Sequence, residues 1–559
     1  MSTVEDRSAS VLAHSLRHGL RLGDNPFVLP AGGVDDGRRR AILTTLTDHF
    51  AAKLRVLQGS RSDRGVDYQA DLGVLLNFPF AYIGDPFEES DFAPYLKAVE
   101  REVVDYFARL WHAGPRSDDV TDKDAYWGYV LTMGSSEGIL YALWAARDHL
   151  SGKSLVSDVD DHGSPVWMWV QDTPPDGAEN AYSPVAFHSA DSHYSISKAL
   201  RVLGIPTFYE VGSERYPEAN PLAPGQPWPT EAPCQGGAFG SGRVDVGKLV
   251  ALVEFFAGKG HPILLVLNYF TSFKGAYDDV EEICARLRPV FARHGLDRRA
   301  VRHGLDANGG DLTDERTGYW VHVDGAMGGM SAAFLRRAAE QGRAVERDAD
   351  GRPLRFPRFD FEVPEVCSIV SSGHKYTESP WPSGILLTKR GLHMTPHCQP
   401  DATSVGDTTF GGSRSALVPI ALWDFLASNS EQDQVDQAVH VWERAREVER
   451  TLRELGPEWD VRRNAWSPMV WFRKPPQEIV NECWLLTAEL REAAETREYA
   501  CFNAAMHTGP ERLARLVERM AQATPEPPRS NAPNAPARRA DGHGPVRRLA
   551  MVPLHRRCL

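Results

Sequence analysis

The segment SSGHKYTESPWPSG, from Ser371 to Gly384, carries the strongest chemical signal in the sequence. An apolar run, Cys367 to Val370, precedes it and predicts a buried strand that ends close to His374 and Lys375. Burial lowers the pKa of a lysine amine, because the charged form loses its water. The resulting neutral amine can form a Schiff base with an aldehyde. Taken alone, Ser-Gly-His-Lys is also compatible with an ordinary turn.

A second signal is HVDGAMGG, which begins at His322 and follows an apolar run. It predicts that Asp324 lies at the end of a buried strand, with small residues after it. A carboxylate in this position can keep a pyridine nitrogen protonated, and small residues allow a flat ring to approach the backbone. The alternative is an aspartate that caps the next turn.

A third signal is LTMGSSEGILYALWAARDHL, from Leu131, in which a strand enters a Gly-Ser-Ser turn and a helix follows at once. The hydroxyls of Ser135 and Ser136, with the free N–H groups of the first helical turn, are typical of an anion site. A cofactor phosphate would fit it. An ordinary serine N-cap explains the same pattern.

Two further segments follow the same scheme. In HSADSHYSISKALRVLGIP, His193 comes just before an amphipathic helix and could stack on a ring, although a lone histidine is often structural. In DTTFGGSRSALVPIALWDF, Ser413 and Arg414 form a turn that could donate to a phosphate or be a plain loop. All five segments are predicted at strand ends, where ligands bind in α/β sheets.

Bulk properties exclude several classes of protein. The formal net charge is −13, which argues against general binding to nucleic acid or to anionic membranes. The seven cysteines form no metal-ligand spacing, so no metal site is predicted, and reduced thiols indicate a cytoplasmic protein. The apolar run PILLVLNYF, from Pro262, is too short to cross a membrane and predicts a buried strand.

The order of predicted elements indicates an α/β protein. Residues 1–95 are predicted to form an N-terminal arm, 96–425 a large domain with a mostly parallel sheet, and 426–522 a small α+β domain. In the small domain, helices are predicted over 431–455, 478–498 and 509–522. The Pro- and Arg-rich residues 523–559 are expected to be disordered. The segments that begin at Ser157, Tyr216 and Arg293 are predicted to be surface excursions, and the second could shape the mouth of an active site.

Taken together, the five segments resemble the group II pyridoxal-phosphate decarboxylases, a fold-type I family, over about 67–507. The resemblance implies that Lys375 binds the cofactor aldehyde and that Asp324 pairs with its pyridine nitrogen. Ala326 and His193 would pack on opposite faces of the ring. The residues implied to contact the phosphate region are Ser135, Ser136, Ser372 and His374.

The resemblance implies further contacts with pyridoxal phosphate. Ser413 and Arg414 match a turn that in this family reaches the neighbouring subunit's site, which implies a homodimer with shared active sites. The stretch NYFTSFKGAYDDV matches N-x-G-T-T-x-x-G-A-x-D-D and makes Thr271 a cofactor contact. Phe270 stands where glycine is usual and Ser272 where threonine is usual, so the pocket beside the ring is expected to be narrower than in relatives.

The resemblance also implies residues on the substrate side. The family has a mobile loop that donates a Tyr or Ser for Cα protonation, and Ser467 in RRNAWSPMVWF is the candidate here, although a shift of one residue would move the match. His193 is the alternative proton donor. Gln69 and Phe80 lie in the segment that would border the substrate side chain.

The N-terminal stretch GVDYQADLGVLLNFPFAYIGDPF and the Trp-containing SPWPSGILL are similar to the actinobacterial decarboxylases of L-methionine and L-valine. This resemblance predicts an uncharged substrate, with methionine, converted to 3-methylthiopropylamine, as the first choice. Valine, leucine, histidine and aromatic amino acids remain open. So do two other outcomes: a decarboxylating oxidase, aldehyde synthase or C–C lyase on the same fold, and a cofactor-binding scaffold without catalysis.

Overall fold

The computed structural model describes residues 27–58, 67–78, 81–88, 94–117, 122–159, 165–306, 308–393, 406–492, 495–504 and 510–530. The predicted pocket residue Phe80 and most of the predicted tail lie outside these ranges. The helices are α1 (Asp36–Gln58), α2 (Tyr68–Leu72), α3 (Pro94–Leu110), α4 (Ser135–Leu150), α5 (Tyr194–Leu203), α6 (Phe208–Arg215), α7 (Val246–Gly258), α8 (Val280–Arg293), α9 (Gly329–Glu340), α10 (Gly373–Thr377), α11 (Leu417–Ser428), α12 (Glu431–Arg453), α13 (Gln477–Cys483) and α14 (Pro510–Met520). The strands are β1 (Ala81–Tyr82), β2 (Tyr126–Leu131), β3 (Lys153–Val159), β4 (Pro165–Gln171), β5 (Val185–Phe187), β6 (Ile263–Asn268), β7 (Arg299–Leu305), β8 (Asp311–Arg316), β9 (Tyr319–Asp324), β10 (Val366–Ser372), β11 (Gly384–Lys389), β12 (Arg414–Ser415), β13 (Arg462–Arg463), β14 (Met469–Arg473), β15 (Leu486–Glu492), β16 (Glu495–Asn503) and β17 (Arg529–Ser530).

A six-stranded sheet with the order β2-β11-β10-β9-β6-β5 forms the centre of the large domain. Strands β5, β6, β9 and β10 pair in parallel, and β11 is antiparallel to both of its neighbours. The prediction of a mostly parallel α/β sheet is therefore confirmed. Because parallel strands end at the same edge, the carboxyl ends of β6, β9 and β10 meet there.

Both faces of this sheet are buried, which explains the nearly continuous apolar runs in its strands. In β6, Leu265 and Leu267 face one apolar cluster with α3, α7, α8 and α9, while Leu264 and Val266 face a second cluster with α4 and α5. The alternation follows from the two-residue period of a strand. The helices thereby hold the sheet, and the edge where the strands end, in one fixed shape.

The small domain differs from the sequence-based prediction in one element. A helix was predicted over 478–498, but α13 ends at Cys483, and β15 and β16 form an antiparallel hairpin that continues the sheet through β14. Trp484 follows the helix with a positive φ of 51° and ends it. Pairing with β14 overrides the helical pattern of the charged residues, because strand preference depends on neighbours.

Two of the predicted surface excursions are antiparallel hairpins. They are β3–β4 and β7–β8. The third excursion, which begins at Tyr216, contains none of the strands given above. The predicted disordered tail also begins too early: β17 pairs with β16, and Arg473 donates a hydrogen bond to the Glu526 carbonyl at 2.6 Å. Residues 531–559 of that prediction lie outside the described ranges. Among the helices described here, none is both long and apolar enough to cross a lipid bilayer.

Candidate active site

Lys375 lies in a single helical turn, α10, which begins directly after β10 ends at Ser372. The residue is exposed, yet burial of its amine lowers the pKa of Lys375, and the negative charge of Asp324 opposes this fall. Part of the side chain is therefore open to solvent, while the protein around the amine displaces much of its water. The amine is therefore easier to deprotonate than that of an ordinary surface lysine.

Asp324 ends β9 on the neighbouring strand and is buried. One of its oxygens accepts a hydrogen bond from the Ala326 N–H at 3.0 Å, and the Gly325 N–H donates to the Val370 carbonyl at 2.9 Å. Burial raises the pKa of Asp324, while the Ala326 N–H, the charge of Lys375 and the charge of His193 lower it. Three ionisable groups predicted to act together thus influence one another electrostatically.

His193 is the N-cap of α5, which places its imidazole at the same edge of the sheet. Its Nδ1 lies 2.7 Å from Ser195 Oγ and accepts the Ser195 N–H at 3.3 Å. An accepting Nδ1 assigns the ring proton to Nε2. Burial lowers the pKa of His193, so the ring is neutral near pH 7. A neutral, oriented imidazole is suited to packing against a flat ring.

The N-terminus of α4 lies beside the end of β10. Ser135 Oγ and Ser372 Oγ are 2.8 Å apart and both residues are buried. The cap residue, Gly134, has φ 73° and no side chain that could cap the helix. The Glu137 N–H donates to the Gly134 carbonyl at 3.1 Å, which leaves the N–H groups of Ser135 and Ser136 as the ones suited to an anion. A carbon added to Gly134 would lie 3.2 Å from His374 Cε1, which is why this turn needs glycine.

This set of groups fits pyridoxal phosphate. The uncapped helix end and the serine hydroxyls suit its phosphate, the buried carboxylate suits its ring nitrogen, and the amine of Lys375 suits its aldehyde. The positions follow from strands β9 and β10 and helices α4 and α5, all of which reach the same edge of the sheet.

Comparison with known proteins agrees with this geometry. The chain is 39% identical to L-methionine decarboxylase from Streptomyces sp.590, solved with L-methionine methyl ester, over 90% of this chain and 98% of that one, with a TM-score of 0.79. That chain belongs to the group II pyridoxal-phosphate decarboxylases, and so does this one. This enzyme is a pyridoxal-phosphate-dependent amino-acid decarboxylase of fold type I.

More distant decarboxylases also match. Serine decarboxylase 3 of Oryza sativa subsp. japonica is 24% identical over 87% of this chain and 85% of its own. Histidine decarboxylase of Solanum lycopersicum is 25% identical over 78% of each chain. No protein-family model matches the sequence. The relatives named here act on different amino acids, so the family alone leaves the substrate open.

Of the other predicted cofactor contacts, Ser136 and Ser413 are exposed and Arg414 is buried. The Arg414 guanidinium pairs with Glu100 and donates to the Gly84 carbonyl at 2.7 Å, and it lies over the Tyr82 ring, 4.4 Å from its centroid. These contacts direct the Arg414 side chain into its own subunit, away from the predicted contact with a neighbouring site. The preceding residue, Ser413, is exposed.

Thr271 follows β6 and is buried. Its hydroxyl donates to Asp191 at 2.7 Å and accepts the Ala276 N–H at 3.1 Å. Phe270 is also buried, with a left-handed backbone at φ 63°. Its ring packs on Tyr269, with centroids 4.9 Å apart, and fills the space that a side chain on Gly328 would need. The structure thus places the Phe270 ring in the large-domain core.

Ser467 lies in the small domain and is fully buried. Its hydroxyl accepts the Met469 N–H at 3.0 Å, and a side-chain carbon on Gly275 would overlap it. Gln69 is exposed in the short helix α2. The preceding residue, Tyr68, donates a hydrogen bond to the Thr377 carbonyl at 2.9 Å, which brings this N-terminal segment onto the helix of Lys375.

Sequence reasoning missed four residues that hold the site together. They are Tyr68, Glu137, Asp191 and Lys274. Glu137 is buried and accepts the Thr132 and Met133 N–H groups at 2.9 and 2.8 Å, which shapes the Gly134 turn. Its place three residues after Gly134, within the first turn of the helix, was a usable signal.

One group of potential metal ligands occurs among the described residues: His112, Asp360 and Glu362. Sequence spacing did not suggest it. The Arg336 guanidinium donates to Asp360 at 2.8 Å and to Glu362 at 3.4 Å, so a side-chain cation already balances these carboxylates.

Proposed function

We propose that this decarboxylase acts on an L-amino acid with an uncharged side chain, and that methionine, which would give 3-methylthiopropylamine, is its substrate. One observation in the chain supports this choice most. The bond from Tyr68 to the Thr377 carbonyl lays the uncharged side chains of Tyr68 and Gln69 near the Lys375 helix, and the Tyr68 ring meets Trp381 edge-on at 6.1 Å between centroids. Aromatic and amide groups suit a thioether or alkyl chain better than a charged one. The 39% identity to a methionine decarboxylase points the same way.

Pyridoxal phosphate, when bound, supplies an electron-withdrawing ring that accepts the electron pair of the breaking Cα–carboxylate bond. In our proposal, the amine of Lys375 holds the cofactor aldehyde and gives way to the substrate amine. The lowered pKa of Lys375 supports this role, since attack on a carbonyl needs an unprotonated amine.

Asp324 holds the proton of the pyridine nitrogen in the proposal, and Ala326 lies under the ring. The N–H of Ala326 that bonds Asp324 supports this role by fixing the carboxylate. His193 covers the other ring face and orients the substrate carboxylate. Its neutral state and its two bonds to Ser195 support a fixed, uncharged ring face.

The phosphate is proposed to lie at the N-terminus of α4. The residues assigned to it are Ser135, Ser136, Ser372 and His374. The 2.8 Å contact between Ser135 and Ser372 supports the site, because two hydroxyls this close can both turn towards one anion. We keep Thr271 as a cofactor contact in the proposal, although its hydroxyl also donates to Asp191.

A proton must be returned to Cα after carbon dioxide leaves. We propose His193 as the donor, after its Nδ1 takes up a second proton from solvent, and keep Ser467 as the second candidate. The proton already on Nε2 is then the one passed to Cα, and the ring returns to its neutral form. The buried and hydrogen-bonded hydroxyl of Ser467 would have to move first. His193→Gln and Ser467→Ala are compared in deuterium oxide. The variant that lacks the donor is expected to incorporate deuterium at Cα of the amine more slowly than the other.

The substrate proposal is tested by incubating the purified enzyme and pyridoxal phosphate with each of the twenty amino acids and detecting the amines. Methionine is expected to give the highest kcat/KM. A preference for histidine, serine or an acidic amino acid would overturn it. Lys375→Ala is the blank for this assay and is expected to give no turnover.

The same reactions also test the alternative outcomes. A decarboxylating oxidase or aldehyde synthase would release aldehyde, with peroxide or ammonia, in place of the amine. A stoichiometric yield of amine and carbon dioxide is expected from the decarboxylase proposed here. A protein that binds the cofactor but turns over none of the twenty amino acids would favour the scaffold reading.

We further propose a homodimer in which the exposed turn at Ser413 completes the partner's site. The test mixes two inactive chains, Lys375→Ala and Ser413→Trp, under conditions that exchange subunits. If Ser413 serves the partner, the mixed dimer contains one intact site and regains activity. If Ser413 serves its own subunit, or the enzyme is a monomer, mixing restores nothing. Light scattering of the wild type gives the oligomeric state independently.

A further inference from the structure

A buried ion pair lies beside the site. It joins Asp191 to Lys274, whose Nζ is 3.3 Å from Asp191 Oδ1, and the two side chains are only 14% and 3% exposed. The other oxygen of Asp191 accepts the Thr271 hydroxyl at 2.7 Å. Breaking a buried pair strands a charge, so these groups hold one arrangement firmly.

Asp191 lies in the turn that carries His193. This turn is closed by a hydrogen bond from the Ser192 N–H to the Ser189 carbonyl at 3.1 Å, and the Asn268 side chain donates to Ser189 Oγ at 3.0 Å. Asp191 is two residues from His193, so its two bonds to the segment after β6 fix the start of α5. The direction of the imidazole therefore depends on where Thr271 and Lys274 hold this carboxylate.

Lys274 is fixed in turn by the small domain. Its Nζ lies 5.6 Å from the centroid of the Trp471 ring in β14, and its carbonyl accepts the Asn464 side chain at 2.9 Å. Its ammonium also donates to the Ala238 carbonyl at 2.9 Å. The ammonium of Lys274 thus contacts both the His193 turn and Trp471 of the small domain, and its backbone carbonyl contacts the small domain through Asn464.

The segment 237–242, part of the excursion that begins at Tyr216, is held in the same junction. The side chain of Asn464 donates to the Ser241 carbonyl at 2.9 Å, and Arg497 lies over the Phe239 ring, 4.3 Å from its centroid. Gly242 has φ 85°, and a carbon there would lie 2.6 Å from Asp191 Oδ2. Residues 237–242 therefore pack against both the small domain and the His193 turn of the large domain.

We propose that Asp191 and Lys274 are positioning residues that couple the small domain to the imidazole of His193. The junction transmits the placement of β14 through Lys274 and Asp191 to the start of α5. The proposal rests on the role of His193 given above, but the coupling itself can be measured without turnover.

The test is amide hydrogen exchange of peptides that cover residues 188–196, in the full-length enzyme with and without pyridoxal phosphate. Lys274→Met is expected to speed exchange in this segment. Asn464→Ala, which changes only the small-domain side of the junction, is expected to do the same. Arg336→Met, which breaks a buried pair with Asp360 elsewhere, is the matched control and should leave these peptides unchanged.

The kinetic arm uses Lys274→Met, Asp191→Asn and the double variant. Misplacing a reacting group lowers the reaction rate by up to about a hundredfold. We therefore expect kcat to fall between about tenfold and a hundredfold, with a smaller change in KM. The double variant should be no slower than the worse single one, since both act through one contact. Lys274→Arg should recover part of the rate.

Unchanged exchange in 188–196 for both Lys274→Met and Asn464→Ala would overturn the coupling. Additive losses of kcat in the double variant would do the same. If Lys274→Met does not fold, Lys274→Gln and Lys274→Arg provide the comparison. A His193→Gln enzyme with full activity would instead refute the role of His193, and the exchange result would still decide whether the domains are coupled.

Discussion

Ser135 Oγ lies 2.8 Å from Ser372 Oγ, although 237 positions separate the two residues in the chain. The contact joins the N-terminus of α4 to the end of β10, one residue before the turn that carries Lys375. A phosphate at this point would be tied to the strand that delivers the reacting amine. A phosphate placed there would therefore also set the distance between the aldehyde and the lysine.

Replacing Ser372 by alanine is expected to weaken binding of pyridoxal phosphate. A hydrogen bond to a charged group contributes about 1.5 kcal/mol or more, which corresponds to about a tenfold higher Kd. Absorbance titration of the cofactor-free enzyme measures it. Ser430→Ala, which removes the N-cap of α12, is the control and should reduce stability without changing this Kd. An unaltered affinity in Ser372→Ala would place the phosphate elsewhere.

Asp324→Asn keeps the shape of the side chain and removes its charge. Removing one group that stabilises charge in the transition state typically lowers kcat by a factor of about 10²–10³. We therefore expect single-turnover decarboxylation to slow by at least about a hundredfold. Cofactor affinity should fall as well. Asp85→Asn, at a buried carboxylate that accepts the Trp127 N–H at 2.8 Å, serves as a control for simple loss of a buried charge. A near-wild-type rate for Asp324→Asn would rule out the proposed role.

Two buried histidines make the fold sensitive to acid. Burial lowers the pKa of His149 and of His322 from 6.5 to about 3. Below about pH 6.5 each of these histidines binds a proton in the unfolded chain, but in the folded chain it does so only near pH 3. The free energy of unfolding is therefore highest above pH 6.5 and decreases as the pH falls from 6.5 towards 3. Each histidine contributes up to about 1.4 kcal/mol per pH unit.

His149→Gln is therefore expected to flatten the decline of the free energy of unfolding between pH 6.5 and 5 by up to about 1.4 kcal/mol per pH unit. Urea unfolding at pH 7.5, 6.5, 5.75 and 5 measures the slope. Above pH 7 the two curves should run parallel, which controls for the lost bond between His149 and the Thr317 carbonyl. Equal slopes in acid would show that this histidine titrates normally.

Tyr68→Phe removes the hydroxyl that anchors the N-terminal segment to the Lys375 helix. A neutral hydrogen bond contributes about 0.5–1.5 kcal/mol, so KM for the substrate is expected to rise about two- to tenfold while kcat changes less. Steady-state kinetics on the preferred amino acid measures it. Tyr182→Phe loses a bond to the Asp172 carboxylate, directly after the end of β4 and outside the site, and should leave KM unchanged. A pure loss of kcat would assign Tyr68 to the chemistry instead.

Strand ends with small and polar residues carried most of the information that the sequence held about the site. Each of β2, β6, β9 and β10 was recognisable from an apolar run, and the residue types at the ends of the runs predicted Asp324, Lys375 and the Gly134 turn as neighbours at one edge. Parallel pairing is enough to bring such ends together, so local pattern sufficed. The helix predicted over 478–498 failed because a charged hairpin and a charged helix have similar composition, and only pairing with β14 decides between them.

Only the tertiary structure decided which polar groups are paired with one another. The direction of Arg414 into Glu100, the packing of Phe270 against Gly328 and the pair between Asp191 and Lys274 join positions that are distant in sequence. Their partners are set by packing and burial in three dimensions, where an unpaired charge or hydroxyl is costly. The sequence by itself thus determined the chemistry and the edge of the sheet where it occurs, and the fold determined which residues hold those groups in place.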